Sequence, residues 1–173
     1  MDLFNYRKIG GQTLTSKVDL EPTIQRVAEV SDYRFNGESS FTVPTFKVPQ
    51  DFSLGVIFGP SGSGKSTLLK EMGGVKEIVW KGNLAIASQV EPNLLMKIGL
   101  SSIPSLCRPY HVLSTGEKHR AEIAISLKDG CVIDEFTSVC NRDLAHSISV
   151  GVRNVIDHYG YRNVVIATCH EDV

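Results

Sequence analysis

Apolar positions along the chain fall into three kinds of pattern, and each predicts its own kind of element. Four short continuous runs read as buried strands: Gly55-Val56-Ile57-Phe58, Leu84-Ala85-Ile86-Ala87, Cys131-Val132-Ile133 and Val164-Val165-Ile166-Ala167-Thr168. Unbroken apolar runs of this length, with no polar alternation, are the pattern of parallel strands covered on both faces. Helical patterns lie between them. Leu68-Leu69-Lys70-Glu71-Met72 reads as the first turns of a helix, and a further helix is expected from Asp143 to about His158. Ser114 is a plausible helix N-cap with Glu117 as its capping-box partner, and that helix would run through Arg120, Ala121, Ala124 and Leu127 to stop near Gly130. Pro92 to about Leu113 mixes short apolar stretches with Pro104 and Pro109, predicting short helices or loops.

The first fifty residues are less regular. Pro22 opens a segment with apolar residues at Ile24, Val27, Ala28 and Val30, a short amphipathic helix. Phe41-Thr42-Val43 and Phe46-Lys47-Val48, each beside a proline, read as short edge strands. Repeats, low-complexity segments and obvious linkers are absent from the sequence. Strands alternating with helices imply an α/β fold with a mostly parallel sheet, whose site lies at the strand C-termini.

Chemistry enters at the first of those termini. The strand at Val56 runs into Gly59-Pro60-Ser61-Gly62-Ser63-Gly64-Lys65-Ser66-Thr67, a complete phosphate-binding loop, and a helix follows. Glycines let successive backbone N–H groups turn inward, and the helix N-terminus adds partial positive charge. Lys65 is a mobile cation for the β- and γ-phosphates of a nucleoside triphosphate, and the Ser66 hydroxyl is placed to ligate Mg²⁺.

Composition narrows the classes. The chain has 173 residues, enough to bury a core. Its 18 basic and 19 acidic residues leave a net charge of -1, so net charge gives no indication of nucleic acid as a partner. Apolar runs are too short for a membrane span, and the start from Met1 to Lys8 lacks a signal-peptide layout. Cys107, Cys131, Cys140 and Cys169 are scattered, which favours reduced thiols and a cytoplasmic location over a zinc site or disulfides. Cys131 and Cys169 border strands and are expected in the core.

The remaining motifs follow in a fixed order: Ser88-Gln89, Leu113-Ser114-Thr115-Gly116-Glu117, Cys131-Val132-Ile133-Asp134-Glu135, Ser138-Val139-Cys140-Asn141 and His170. This succession resembles the ABC ATPase superfamily of P-loop NTPases over about residues 55 to 173. The stretches Arg108 to Lys118, Asp134 to Val139 and Cys169 to Val173 are similar to small stand-alone ABC ATPases of bacteria and phages, often associated with acetyltransferase-like domains.

The resemblance implies a role for each residue. Gly59, Ser61, Gly62, Ser63, Gly64, Lys65, Ser66 and Thr67 would hold the phosphates, with Ser114 and Gly116 completing the pocket of a second copy. Ser66, Gln89 and Asp134 would face Mg²⁺. Glu135 would orient or deprotonate the attacking water, Gln89 would contact the water or the ion, and His170 resembles the switch histidine at the γ-phosphate. Thr115 stands where glycine is common, Glu117 where glutamine is common, and Asn141 where an Asp commonly contacts the partner subunit. The adenine is commonly stacked on an aromatic upstream of the phosphate loop. Tyr33, Phe35 and Phe41 are candidates, since stacking needs only a planar face, and each is equally a candidate core residue, so none is assigned. His111, His119, His146 and His158 read as surface or helix-face residues.

One ABC-type domain over residues 1–173 is therefore expected. It divides into an N-terminal helix and β region (1–50), a P-loop core (51–90 and 128–173) and a reduced helical subdomain carrying the signature (91–127). The interval from Thr67 to Leu113 is too short for the heptad coiled coil of chromosome-structure ATPases. With the chain ending just past His170, a reduced ATPase is expected, regulatory or powering a separate protein partner. The expected activity is Mg²⁺-dependent hydrolysis of ATP in a head-to-tail homodimer. The alternatives are an ATP-dependent adaptor with little turnover and the ATPase subunit of a transporter; a small-molecule kinase would leave the signature turn without a task.

Overall fold

A computed structural model describes residues 5–171. The reading of the chain's first residues falls partly outside that range, as do Asp172 and Val173. The phosphate loop hangs on a parallel sheet of three strands: β5 (Leu54–Phe58), β6 (Val132–Ile133) and β7 (Val164–Thr168), in the order β5-β7-β6. The earlier strands form two antiparallel ribbons. β1 (Tyr6–Ile9) pairs with β4 (Phe46–Pro49), and β2 (Thr13–Lys17) pairs with β3 (Glu38–Thr42).

β7 is buried at all five positions because it has a partner on each side and helices over its faces. Its register places Val56 opposite Ile166 on one side and Val132 opposite Val165 on the other. All three strands run the same way. Their C-terminal ends therefore deliver Gly59, Asp134 and Cys169-His170 to one edge of the sheet.

Helices α1 (Pro22–Val30), α2 (Lys65–Glu71), α3 (Pro92–Lys97), α4 (Ile103–Leu106), α5 (Thr115–Ser126) and α6 (Arg142–Tyr159) fill the connections. The main core gathers Ile86, Leu95, Ile98 and Leu100 with Ile123 of α5, Phe136 and the inner face of α6, Ile148, Val152, Val155 and Ile156. α3 and α6 approach closely at Gly151, where a Cβ would stand 2.2 Å from the Lys97 carbonyl oxygen. A smaller cluster of Ile9, Val43 and Leu68 fastens the ribbons to α2. The Glu71 carboxylate reinforces it by accepting the Gly10 N–H and the Gln12 amide.

Most predicted elements are present, and three expectations are corrected. Leu84 to Ala87 is not a strand: it leads into a 3-10 turn at Ile86–Ser88, joined to the rest by one bridge between Ala85 and Pro109. Proline at the bridging position has no N–H, so no ladder can grow from it. β5 is not a core strand. It pairs with β7 alone among the described residues, leaving Val56 and Phe58 48% and 60% exposed. Cys131 is buried as expected, but Cys169 lies beyond the end of β7 and is exposed. α1 forms where its pattern placed it, yet buries no residue, because among the described residues none covers the face bearing Val27 and Val30. Among the described residues no helix is long and apolar enough to cross a membrane.

Candidate functional site

The loop after β5 folds as its glycines require. Gly62 and Gly64 have φ of 78° and 88°, a left-handed backbone that disfavours side chains. At Gly64 crowding adds to this. A Cβ there would meet the Phe41 ring at 3.2 Å and Val43 at 3.3 Å. Gly64 is the N-cap of α2, so the loop ends where the helix presents its unpaired N–H groups. Ser61 and Gly62 are exposed, Ser63 and Thr67 half-buried, and the Ser63 N–H is tied to the Pro60 carbonyl.

Lys65 is buried, 8% exposed, and its ammonium bends back to donate to the carbonyls of Gly59 at 2.7 Å and Pro60 at 3.0 Å. The loop's own carbonyls thus hold the Lys65 ammonium. Ser66 donates its hydroxyl to Asp134 Oδ2 at 2.6 Å. The other carboxylate oxygen, Oδ1, accepts the Glu135 N–H at 2.9 Å. Asp134 is thereby held at both oxygens, from the loop and from its own strand end. Ser66 and Asp134, 68 positions apart in sequence, meet because β5 and β6 end at the same sheet edge.

Magnesium takes oxygen ligands and keeps several waters. The pair Ser66 Oγ and Asp134 Oδ2 fits that chemistry as two converging oxygen donors. Among the described residues no cluster of three or more His, Cys, Asp or Glu forms, so a triphosphate and water would have to complete the ion's shell. Glu135 is exposed and has φ of 52°, uncommon for a residue with a side chain.

Gln89 sits differently. Its Oε1 accepts the Lys81 N–H at 2.7 Å, and its Nε2 donates to the carbonyls of Lys81 and Leu84. The amide is occupied in closing the loop at 81–84. It would have to exchange those bonds to reach an ion or a water.

His170 stands just past β7, half-buried. Its Nδ1 is 2.8 Å from the Thr137 hydroxyl, which is 2.6 Å from that of Thr168. The His170 N–H donates to Thr168 Oγ1 at 3.0 Å, and the Thr168 carbonyl accepts the Gly59 N–H. Both threonines are 1% exposed. Sequence reasoning passed over them. The available signal was a hydroxyl residue two places from Glu135 and another two places from His170, inside otherwise apolar surroundings.

The Ser114 turn faces solvent. Ser114 and Thr115 are exposed, Gly116 half-buried, and Ser114 caps α5 in a full capping box. The Glu117 carboxylate accepts the Ser114 N–H at 2.9 Å, the Ser114 hydroxyl at 2.8 Å and the buried Ser105 hydroxyl. Those donors, Ser105 foremost, pull its carboxyl down from 4.5 to about 2. The Ser114 hydroxyl proton is therefore already engaged within the turn. Behind it, His119 on α5 bonds the Phe136 carbonyl at 2.8 Å, linking this helix to the loop after Glu135. Asn141 caps α6 by accepting the Leu144 N–H.

Of the three aromatic candidates, Phe41 is the one beside the phosphate loop, its ring 3.2 Å from where a Cβ on Gly64 would stand. Tyr33 and Phe35 stack on each other instead, 6.0 Å between centroids.

No protein-family model matches the chain, and no curated protein matches it in sequence. Solved structures do match in fold. One, described as an ABC transporter (ATP-binding protein) from Pyrococcus furiosus, superposes with a TM-score of 0.56 at 19% identity, covering 77% of this chain and 89% of its own. Another, described as a cobalt transport ATP-binding protein, gives 0.52 at 16% identity, covering 96% and 71%. The fold is thus that of the α/β P-loop NTPases of the ABC type.

Proposed function

We propose that this chain is an ABC-type, Mg²⁺-dependent ATPase built as one domain, in which two copies pair head to tail and clamp ATP between the phosphate loop of one and the Ser114 turn of the other. The observation that carries the reading is the meeting of Ser66 and Asp134 beside Lys65, at the sheet edge that also receives Glu135 and His170. The solvent-facing Ser114 turn supports the pairing, since it leaves an anion-binding helix N-terminus open to a second copy.

In this mechanism Lys65 leaves its two carbonyl partners for the β- and γ-phosphates. Phe41 offers its ring to the base. Ser66 and Asp134 would hold Mg²⁺, which would supply neutralisation of the phosphate charge when bound. Glu135 orients the water for in-line attack and takes its proton. His170 meets the γ-phosphate, and loss of that phosphate breaks its contacts to His170 and Ser114, releasing the clamp.

The Glu135→Gln variant tests this. With Mg²⁺-ATP it should bind nucleotide, hydrolyse at least about a hundredfold more slowly and run at twice the monomer mass. A variant that turns over like the parent removes Glu135 from the mechanism.

A second reading is an ATP-dependent adaptor with little turnover. It is favoured by the Ser114 proton, which Glu117 holds at 2.8 Å and which a γ-phosphate would have to win. Phosphate release by the purified chain separates the two, because an adaptor shows none above background.

A further inference from the structure

We propose that Thr137 and Thr168 are positioning residues that hold His170 in a single tautomer, with Nδ1 accepting and the proton on Nε2. The argument is an accounting of protons around one closed ring. The backbone N–H of His170 can only donate, and it donates to Thr168 Oγ1 at 3.0 Å. Thr168 is 1% exposed, so its own hydroxyl proton needs a protein acceptor, and Thr137 Oγ1 is 2.6 Å away. Thr137, equally buried, has then accepted one proton and must place its own. His170 Nδ1 lies at 2.8 Å to receive it. Every donor and acceptor in the ring is used once.

The opposite direction fails. If Nδ1 carried the proton, Thr137 would donate to Thr168, whose oxygen already accepts the His170 N–H. The Thr168 proton would then be buried without a partner in the ring. Cys169 does not alter the balance, since its sulfur is 3.9 Å from both ring nitrogens and singles out neither.

The consequence for chemistry rests on the reading of the site as a triphosphate pocket. A ring fixed this way shows Nε2–H to the γ-phosphate. It donates a hydrogen bond to the oxygens and cannot take the water's proton, which leaves that task to Glu135. The ring also joins the Glu135 loop to β7, whose Thr168 carbonyl holds the Gly59 N–H.

The test uses the full, nucleotide-free chain labelled with ¹⁵N-histidine, at a pH where the ring is neutral. Long-range ¹H–¹⁵N spectra, with His170 assigned from a His170→Gln sample, should show a pyridine-type shift at Nδ1 and a pyrrole-type shift at Nε2. Thr137→Val keeps the shape and removes the hydroxyl, so the two tautomers should mix and hydrolysis fall about tenfold, with Thr137→Ser restoring both. A wild-type spectrum with the proton on Nδ1 overturns the proposal, whether or not any variant folds. An unchanged His170 spectrum in Thr137→Val overturns it as well. If the wild-type chain binds no ATP while the expected spectrum appears, the tautomer assignment stands and the pocket reading falls.

Discussion

Replacing Glu117 by alanine tests how the Ser114 turn is held in shape. The carboxylate accepts three hydrogen bonds, from the Ser105 hydroxyl and from the Ser114 N–H and hydroxyl. Alanine leaves the Ser105 hydroxyl, buried at 4% exposure, without its acceptor, which costs about 1–3 kcal/mol. Losing the reciprocal half of the capping box adds about 0.5–1 kcal/mol.

Acid titration gives an independent route to the same quantity. The folded carboxyl sits at about 2 against an ordinary 4.5. A depressed folded value means its stabilisation is complete above about pH 4.5 and is lost as pH falls toward 2. The full shift corresponds to about 3 kcal/mol, and solvent screening of a partly exposed carboxylate brings this nearer 1–2 kcal/mol. Urea unfolding at pH 7 should therefore show Glu117→Ala less stable than wild type by about 2–3 kcal/mol. That gap should narrow steadily between about pH 4.5 and pH 2.5. An alanine variant costing under about 0.5 kcal/mol, or a gap unchanged at the acid end, would show that this carboxylate does not hold the turn.

Phe41→Ala should weaken ATP binding about 3- to 10-fold by equilibrium titration while barely changing the melting temperature, since the ring is 41% exposed; unchanged affinity would remove it as the base platform. Gly151→Ala sets a methyl 2.2 Å from the Lys97 carbonyl oxygen, so the backbone of α3 or α6 must shift. The loss, about 1–3 kcal/mol, should exceed the roughly 1 kcal/mol that alanine gains in helix propensity, and a variant more stable than wild type would contradict the observed helix contact.

Local chemistry made several elements readable from the chain alone. β7 is a run of β-branched and small residues with no polar interruption, α5 announces itself through Ser114 and Glu117, and the phosphate loop needs its glycines wherever it is placed. Where the outcome depended on neighbours, the same reasoning failed. Leu84-Ala85-Ile86-Ala87 has the composition of a strand, but its place beside Pro109 allows one bridge and no ladder. Val56 and Phe58 look like core residues, yet β5 occupies a sheet edge.

The site divides along the same line. The kinds of group present, a cradle of N–H donors, a lysine, a hydroxyl and paired carboxylates, follow from residue type and spacing, because each depends on only a few neighbouring residues. Which of them meet was decided by the parallel order β5-β7-β6, which brings Ser66 to Asp134 across 68 positions and closes Thr168, Thr137 and His170 into one ring. Hydrogen bonds extend only about 3 Å. Partners that far apart in sequence can therefore be assigned only once the strands are laid side by side.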